Sequence, residues 1–222
     1  MRILAIEGAL ARCSAAVLAG GAVVAAEAAE AARGHPALLP AMAAAVLARA
    51  GLAATALDAV AVGVGPGGFT GLRAAIALAE GIARGAGVPL IGATTGEVLA
   101  QPLPEADRAA RPVWAVVDNR RGRMVLEAFA PGAATPAAPL VALLDDLPPV
   151  AGSLLLLGDA AEAVAAALLA RGDLAEARPG LPLAEDLARL AARRLAGHLP
   201  PRGGAPLYAE PPAVRPPAGL PA

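Results

Sequence analysis

Gly63-Val64-Gly65-Pro66-Gly67-Gly68-Phe69-Thr70-Gly71-Leu72-Arg73 is the stretch that decides the fold. It leaves an apolar, β-branched run, Leu57 to Val64, that reads as a buried strand, and it enters a helical pattern running from Thr70 to Arg84. A glycine-rich turn from strand to helix has two readings. Glycines accept positive φ and let a phosphate approach the backbone, with the first N–H groups of the helix facing the anion. Alternatively, they serve only to pack the turn against other backbone. The chain has no lysine at all, so a Walker-type loop is excluded.

Upstream lie three short apolar runs, Arg2 to Ile6, Ser14 to Leu18 and Ala22 to Ala26, the last two joined by Gly20-Gly21 as a hairpin would be. Pro36 suits a first helical turn, and Leu38, Leu39, Met42, Val46 and Leu47 follow at helical spacing until Gly51. Downstream, Val88 to Gly92 reads as a strand, and Thr94-Thr95 caps a helix beginning near Gly96. Three opening strands and then alternating helices and strands predict an α/β fold with a mixed sheet. After the polar stretch Gln101 to Pro112 the order restarts with strands Val113 to Asp118 and Met124 to Phe129, a strand Leu154 to Leu157, and helices Asp159 to Arg171 and Leu183 to Leu195. The expected organisation is an N-terminal subdomain over 1–105, a C-terminal α/β subdomain over 106–199 and a proline-rich tail over 200–222.

The 57% hydrophobic fraction comes mostly from alanine, and no window offers the ~20 uncharged apolar residues that a spanning helix needs. Glu7 interrupts the one place where a signal peptide would be apolar, so a cytoplasmic location is expected. Cys13 stands alone, which excludes an internal disulfide. Eighteen basic residues against 19 acids leave a net charge of −1, so charge alone gives no general affinity for nucleic acid.

The string Gly-Pro-Gly-x-Phe-Thr-Gly-x-Arg, spanning Gly65 to Arg73, closely resembles the signature of the TsaB family, also called YeaZ. So do Ile3 to Glu7, Gly34 to Pro40, Leu57 to Gly63, Gly87 to Gly92, Val117 to Gly122 and Pro206-Leu207-Tyr208. The resemblance implies an actin-like, Hsp70-type (ribonuclease H-like) fold of two linked subdomains, with mixed sheets flanked by helices and the first subdomain drawing help from the C-terminal region. It also implies a non-catalytic scaffold without cofactor or metal. Such a scaffold binds and activates a TsaD-type catalytic subunit, which forms threonylcarbamoyladenosine in the anticodon loop of tRNAs reading codons that start with A. A TsaE-type small ATPase completes the complex, tRNA is met through it, and the chain alone can pair with itself. Where relatives carry Asp-Thr-Ser after the first strand, this chain has Glu7-Gly8-Ala9, which lacks the hydroxyls. Where they carry Gly-x-Tyr, it has Gly122-Arg123-Met124.

Catalytic candidates are sparse. His35 and His198 are the only histidines and lie far apart, which disfavours an intrinsic metal site. Cys13 sits in an apolar strand, and Ser14 has no evident base. Glu7 and Asp118 stand where this fold class places phosphate- or metal-binding acids, or serve as solvated and capping carboxylates. Arg120, Arg121 and Arg123 cluster at a turn. The glycine loop (Gly65, Pro66, Gly67, Gly68, Phe69, Thr70, Gly71, Arg73) is the candidate ligand-binding segment. The two N-terminal helices are apolar almost all round, and the resemblance makes them partner surfaces through Leu39, Met42, Leu72, Ile76 and Glu80. The rival reading is a stand-alone ATP-dependent phosphotransferase of the same fold. A metallopeptidase is the weakest, for want of histidine.

Overall fold

Gly20 and Gly21, at φ of 60° and 87°, turn β2 (Arg12–Ala19) back into β3 (Ala22–Glu30), in a conformation that L side chains resist. In the structure, a computed structural model, residues 1–31 and 34–210 are described. Tail residues 211–222 fall outside them. β1 (Arg2–Glu7) pairs antiparallel with β2 and parallel with β4 (Ala59–Gly63), which pairs parallel with β5 (Leu90–Ala93). The first sheet thus runs β3-β2-β1-β4-β5.

The second sheet repeats this arrangement. β6 (Val113–Asp118) pairs antiparallel with β7 (Met124–Phe129), and β7 pairs antiparallel with β8 (Leu140–Ala142). On its other side β6 pairs parallel with β9 (Ser153–Gly158), and β9 with β10 (Leu174–Pro179). The order is β10-β9-β6-β7-β8. Two mixed sheets of one topology, flanked by helices, are the fold the sequence led one to expect. β8 and β10 were not anticipated: β8 has only three residues, and β10 is an edge strand whose Glu176, Arg178 and Pro179 hide any apolar pattern.

The helices are α1 (His35–Arg49), α2 (Phe69–Ala86), α3 (Thr95–Ala100), α4 (Glu105–Ala110), α5 (Ala161–Ala170) and α6 (Ala184–Leu195). Strand alternation sorts the core into layers. Leu4, Ile6, Val60 and Val62 face α1 and α2, while Ile3, Ala5, Ala59 and Ala61 face α6. On the second sheet Leu154 and Leu156 meet α5, and Leu155 and Leu157 meet Leu99 of α3. Each fully buried Leu or Ile contributes about 1.5–3 kcal/mol.

The two sheets therefore exchange covers. α3 follows a strand of the first sheet and packs on the second; α6 follows a strand of the second and packs on the first. Chain order groups residues 184–199 with the second half, whereas Leu187, Leu190 and Leu199 are buried against the first sheet. Thr94 caps α3 through a capping box with Glu97, as its position suggested. A buried ion pair then joins the exchanged helices, with Arg194 Nη2 donating to Glu97 Oε1 at 2.5 Å. Ser14 Oγ accepts the Ala184 N–H at 3.0 Å and so anchors the start of α6, which explains a buried serine that has no base.

Candidate functional site

The carboxyl ends of β1, β4, β6 and β9 open onto a cleft of about 850 Å³ between the two halves. Open α/β sheets place ligands at such ends. The glycine loop forms one wall, and its glycines are explained chiefly by packing. A Cβ on Gly67 would collide with the Ala9 carbonyl, and one on Gly71 would collide with the Gly8 carbonyl and the His35 ring. The Gly68 N–H, next to the helix start, donates to Ala9 O at 2.7 Å and is not offered to a ligand. From behind, Thr95 Oγ1 donates to Pro66 O at 2.6 Å and Thr95 N to Gly65 O at 2.9 Å. The loop is thus clamped between the 7–9 turn and α3, and the Gly65–Pro66 peptide is cis.

Of the candidate ligand-binding residues, Gly65 and Pro66 are buried, while Phe69, Thr70 and Arg73 are exposed along the cleft wall. Glu7 lies beneath the loop, fully buried. Its Oε1 accepts the Ala9 N–H at 2.7 Å, and its Oε2 has no partner among the described residues. Burial pushes its carboxyl up to about 7, against the backbone hydrogen bonds of Ala9 and Gly8. Gly63 has to be glycine because a Cβ there would run into this carboxyl.

His35 fills the junction of α1 with both turns. Its Nε2 faces Ala31 O at 2.8 Å and its Nδ1 faces Gly8 O at 3.2 Å. Both ring nitrogens face backbone carbonyls, and a neutral ring donates its single N–H to one of them, so the buried ring serves to position backbone. His198 is exposed at the far end of α6. Cys13 is buried with Sγ 4.0 Å from Met42 Sδ, and burial raises its thiol, as expected of a small hydrophobe.

The opposite wall carries the arginine turn. Asp118 Oδ1 accepts the Arg120 N–H at 2.7 Å, and Asp159 Oδ1 accepts the Asp118 N–H at 3.1 Å. The Arg120 guanidinium spans both acids, at 3.6 Å from Asp118 and 3.3 Å from Asp159, while burial holds the Asp159 carboxyl above its ordinary value. Arg123 pairs with Glu210, and Asn119 Nδ2 donates to the same carboxylate at 3.1 Å. These acids are therefore neutralised by arginines of the same turn. Among the described residues, no three His, Cys, Asp or Glu side chains group to hold a metal.

The candidate partner residues divide differently from the expectation. Leu39 and Leu72 are fully buried and Met42 is 5% exposed, so these three belong to the chain's own core. Ile76 is half-buried, and Glu80 reaches solvent, paired with Arg84. Helical spacing reveals apolar stripes but not which stripe meets the sheet. Tyr208, singled out in the sequence only as part of a resembling segment, proves to be a cleft residue whose hydroxyl accepts from Arg73 Nε at 2.9 Å across 135 positions.

Residues 23–135, about half the chain, match the family model described as "TsaD: tRNA N6-adenosine threonylcarbamoyltransferase". The chain is 39% identical over 124 residues to the tRNA threonylcarbamoyladenosine biosynthesis protein TsaB of Escherichia coli, an alignment covering 56% of this chain and 53% of that one. It is 40% identical over 75 residues to the TsaB of Haemophilus influenzae, covering 34% and 31%. The chain thus spans about half the length, or less, of these curated relatives. Among solved structures, YeaZ from Pseudomonas aeruginosa superposes with a TM-score of 0.76 at 25% identity, over 93% of this chain and 100% of that one.

Proposed function

The chain belongs to the TsaD family of tRNA N6-adenosine threonylcarbamoyltransferases, with the TsaB (YeaZ) proteins as its relatives, and from that membership we propose that it is an accessory, non-catalytic subunit in threonylcarbamoyladenosine formation on tRNA. It docks on and activates a TsaD-type catalytic subunit, with a TsaE-type ATPase in the same complex. The modified tRNAs are those reading codons that start with A. The protein works in the cytoplasm, and no helix of the described residues is long and apolar enough to cross a membrane.

The outer surface of α1 and α2 carries this reading. The two helices pack side by side on the first sheet, and α1 exposes Ala37, Leu38, Ala41, Ala44 and Ala48 with Arg49 as its sole charge. α2 exposes Ala77 and Gly81, flanked by Ile76 and Glu80, with Arg73 one turn before them and Arg84 one turn after. Small side chains on two adjacent helices permit close approach of a partner's helices, and α1, a surface helix without a polar face, asks for cover. Leu38, Ala41, Ile76, Ala77 and Glu80 are the contact residues of this proposal. The same surface serves self-pairing when the partner is absent. The engaged catalytic candidates support an accessory role: the His35 ring is enclosed by two backbone carbonyls, and Asp118 and Asp159 are bridged by Arg120.

The test is sedimentation of the chain with its TsaD-type partner. Ala77→Glu, on the exposed face, should keep the wild-type melting curve and lose the complex. Complex formation unchanged in Ala77→Glu and Ala41→Glu together would contradict the docking surface. The second reading, an ATP-dependent phosphotransferase, requires a magnesium-dependent shift in melting with ATP. Arg120 across the two acids speaks against that.

A further inference from the structure

Two buried carboxyls lie close together where the second sheet meets α3. Glu127 on β7 is 1% exposed and Glu97 on α3 is 2% exposed. Glu97 is fully engaged: its Oε1 accepts from Arg194 Nη2, and its Oε2 accepts the Thr94 N–H at 2.8 Å. Glu127 is engaged on one side only. Its Oε2 accepts the Gly96 N–H at 2.6 Å with the Thr94 hydroxyl beside it, while its Oε1 has no partner among the described residues. Gly96 is required for this contact, because a Cβ there would press on Glu127 Oε2 at 2.7 Å. A carboxylate with one oxygen orphaned in a dry contact forgoes the hydrogen bonds that water would supply. Burial accordingly raises the Glu127 carboxyl to about 7, opposed by the Thr94 and Gly96 hydrogen bonds; the Glu97 charge adds to the rise and Arg202 opposes it.

The groups around Glu127 come from every element packed there. α3 contributes the Glu97 carboxylate. α6 contributes Arg194, whose guanidinium is spent on Glu97, Gly92 O and Pro200 O. β6 and β9 contribute only apolar side chains, Ala115, Leu155 and Leu157. The segment after α6 contributes Arg202, whose buried Nε lies 3.7 Å from Glu97 Oε2 and makes no hydrogen bond among the described residues. Arg202 is therefore the cation with a buried donor to spare. Between the two residues that touch Glu127 stands Thr95, whose N–H and Oγ1 hold Gly65 O and Pro66 O of the glycine loop. Glu127 of the second half thus bears on the clamp that fixes a loop of the first.

We propose that Glu127 is a proton-operated latch between the two halves: protonated, it closes β7 on the start of α3 and firms the clamp on the glycine loop; ionised, it slackens both, with Arg202 as the counter-charge. The step moves one proton between the Glu127 carboxyl and solvent. A group that holds its proton more tightly in the closed contact than in water favours closure at low pH and opening at high pH. With an ordinary value of 4.5 and a closed value of about 7, opening should rise about ten-fold between pH 6 and pH 8. The latch is a property of the chain by itself and does not involve the outer surface of α1 and α2, so failure of either reading leaves the other standing.

Hydrogen exchange followed by mass spectrometry on the full chain tests this, with rates corrected for the chemical dependence of amide exchange on pH. The Thr95 and Gly96 amides, bonded to Gly65 O and Glu127, report the latch directly. Peptides over 94–101 should lose protection about ten-fold from pH 6 to pH 8 in the wild type. Glu127→Gln, which keeps an acceptor for Gly96 without the charge, should hold its pH 6 protection at pH 8. Arg202→Gln should move the fall to higher pH, and Glu7→Gln should leave the fall at 94–101 in place. Near-UV circular dichroism equal to wild type at pH 6 establishes that each variant is folded. If Glu127→Gln fails that check, Arg202→Gln, on a partly exposed side chain, decides in its stead. Constant protection in the wild type, a fall undiminished in folded Glu127→Gln, or a fall unmoved in Arg202→Gln would overturn the proposal. So would a fall abolished by Glu7→Gln, which would trace the exchange to unfolding of the whole chain.

Discussion

The first sheet, β3-β2-β1-β4-β5, and the second, β8-β7-β6-β9-β10, run through the same succession of antiparallel and parallel pairings, yet only the first has a helix in the crossover from its third strand to its fourth. In the first half that crossover is α1, packed beside α2. In the second half residues 143–152 contain no helix, and α5 covers the corresponding face without a neighbour. One topology thus carries two surfaces. The first half presents paired helices whose outer faces are rich in alanine and glycine, and the second presents an arginine turn whose charges are largely spent on its own acids. The exchange of α3 and α6 makes each half depend on the other for one face of its sheet.

That mutual dependence is the easiest part of the comparison to break. Arg194 donates to Glu97 Oε1, to Gly92 O at 2.7 Å and to Pro200 O at 2.6 Å. Arg194→Leu leaves the Glu97 carboxylate buried without its main partner, and it should destabilise by about 3–5 kcal/mol in urea unfolding, with both halves melting together. A half that kept its own transition at the wild-type midpoint would show that the halves are independent.

The buried carboxyls sharpen the comparison through pH. Glu7 of the first half and Glu127 of the second are both pushed from 4.5 up to about 7, chiefly by burial. A carboxyl raised in the folded state binds its proton more tightly there than in the unfolded chain. Its contribution is therefore complete below about 4.5 and is lost as pH rises through about 7, a change on the order of 3 kcal/mol per group. Glu7→Gln and Glu127→Gln should each flatten the fall in stability between pH 4.5 and 7, and the double variant should flatten it further. A slope identical to wild type in both single variants would show that neither group is raised.

The smallest effects separate a glycine that packs from one that does not, on a single helix. Gly71→Ala drives a methyl into His35 and the Gly8 carbonyl and should cost about 1–3 kcal/mol. Gly81→Ala meets nothing within 4 Å and should stabilise α2 by up to about 1 kcal/mol. Equal melting temperatures for the two variants would contradict the clamped-loop account.

Local chemistry made much of this legible in the sequence. Gly20-Gly21 announced the hairpin, Pro36 the start of α1, Thr94-Thr95 the start of α3, and the Gly65 to Arg73 string the turn that sets the cleft wall. What stayed hidden depends on distant partners. Nothing in residues 184–195 says that Leu187 will meet Ile3 and not the sheet it follows. In helices built largely of alanine, Leu39 and Leu72 look as available as Leu38, and only the sheet beneath distinguishes them. The glycine loop pointed to Phe69 and Arg73, and a separate resembling segment to Tyr208, but nothing in the sequence says that they meet across more than 130 positions. The 200–210 segment forms no helix or strand, as its prolines suggested, yet it ties Val64 and Arg73 of one half to Asn119 and Arg123 of the other.

The most direct test of the accessory role is an omit-one reconstitution with tRNA, threonine, bicarbonate, ATP and the partner proteins, counting the modified nucleoside by mass spectrometry. Product that forms with the chain present, and fails to form with the TsaD-type subunit and ATPase alone, is the predicted result. Equal product with and without the chain would contradict it.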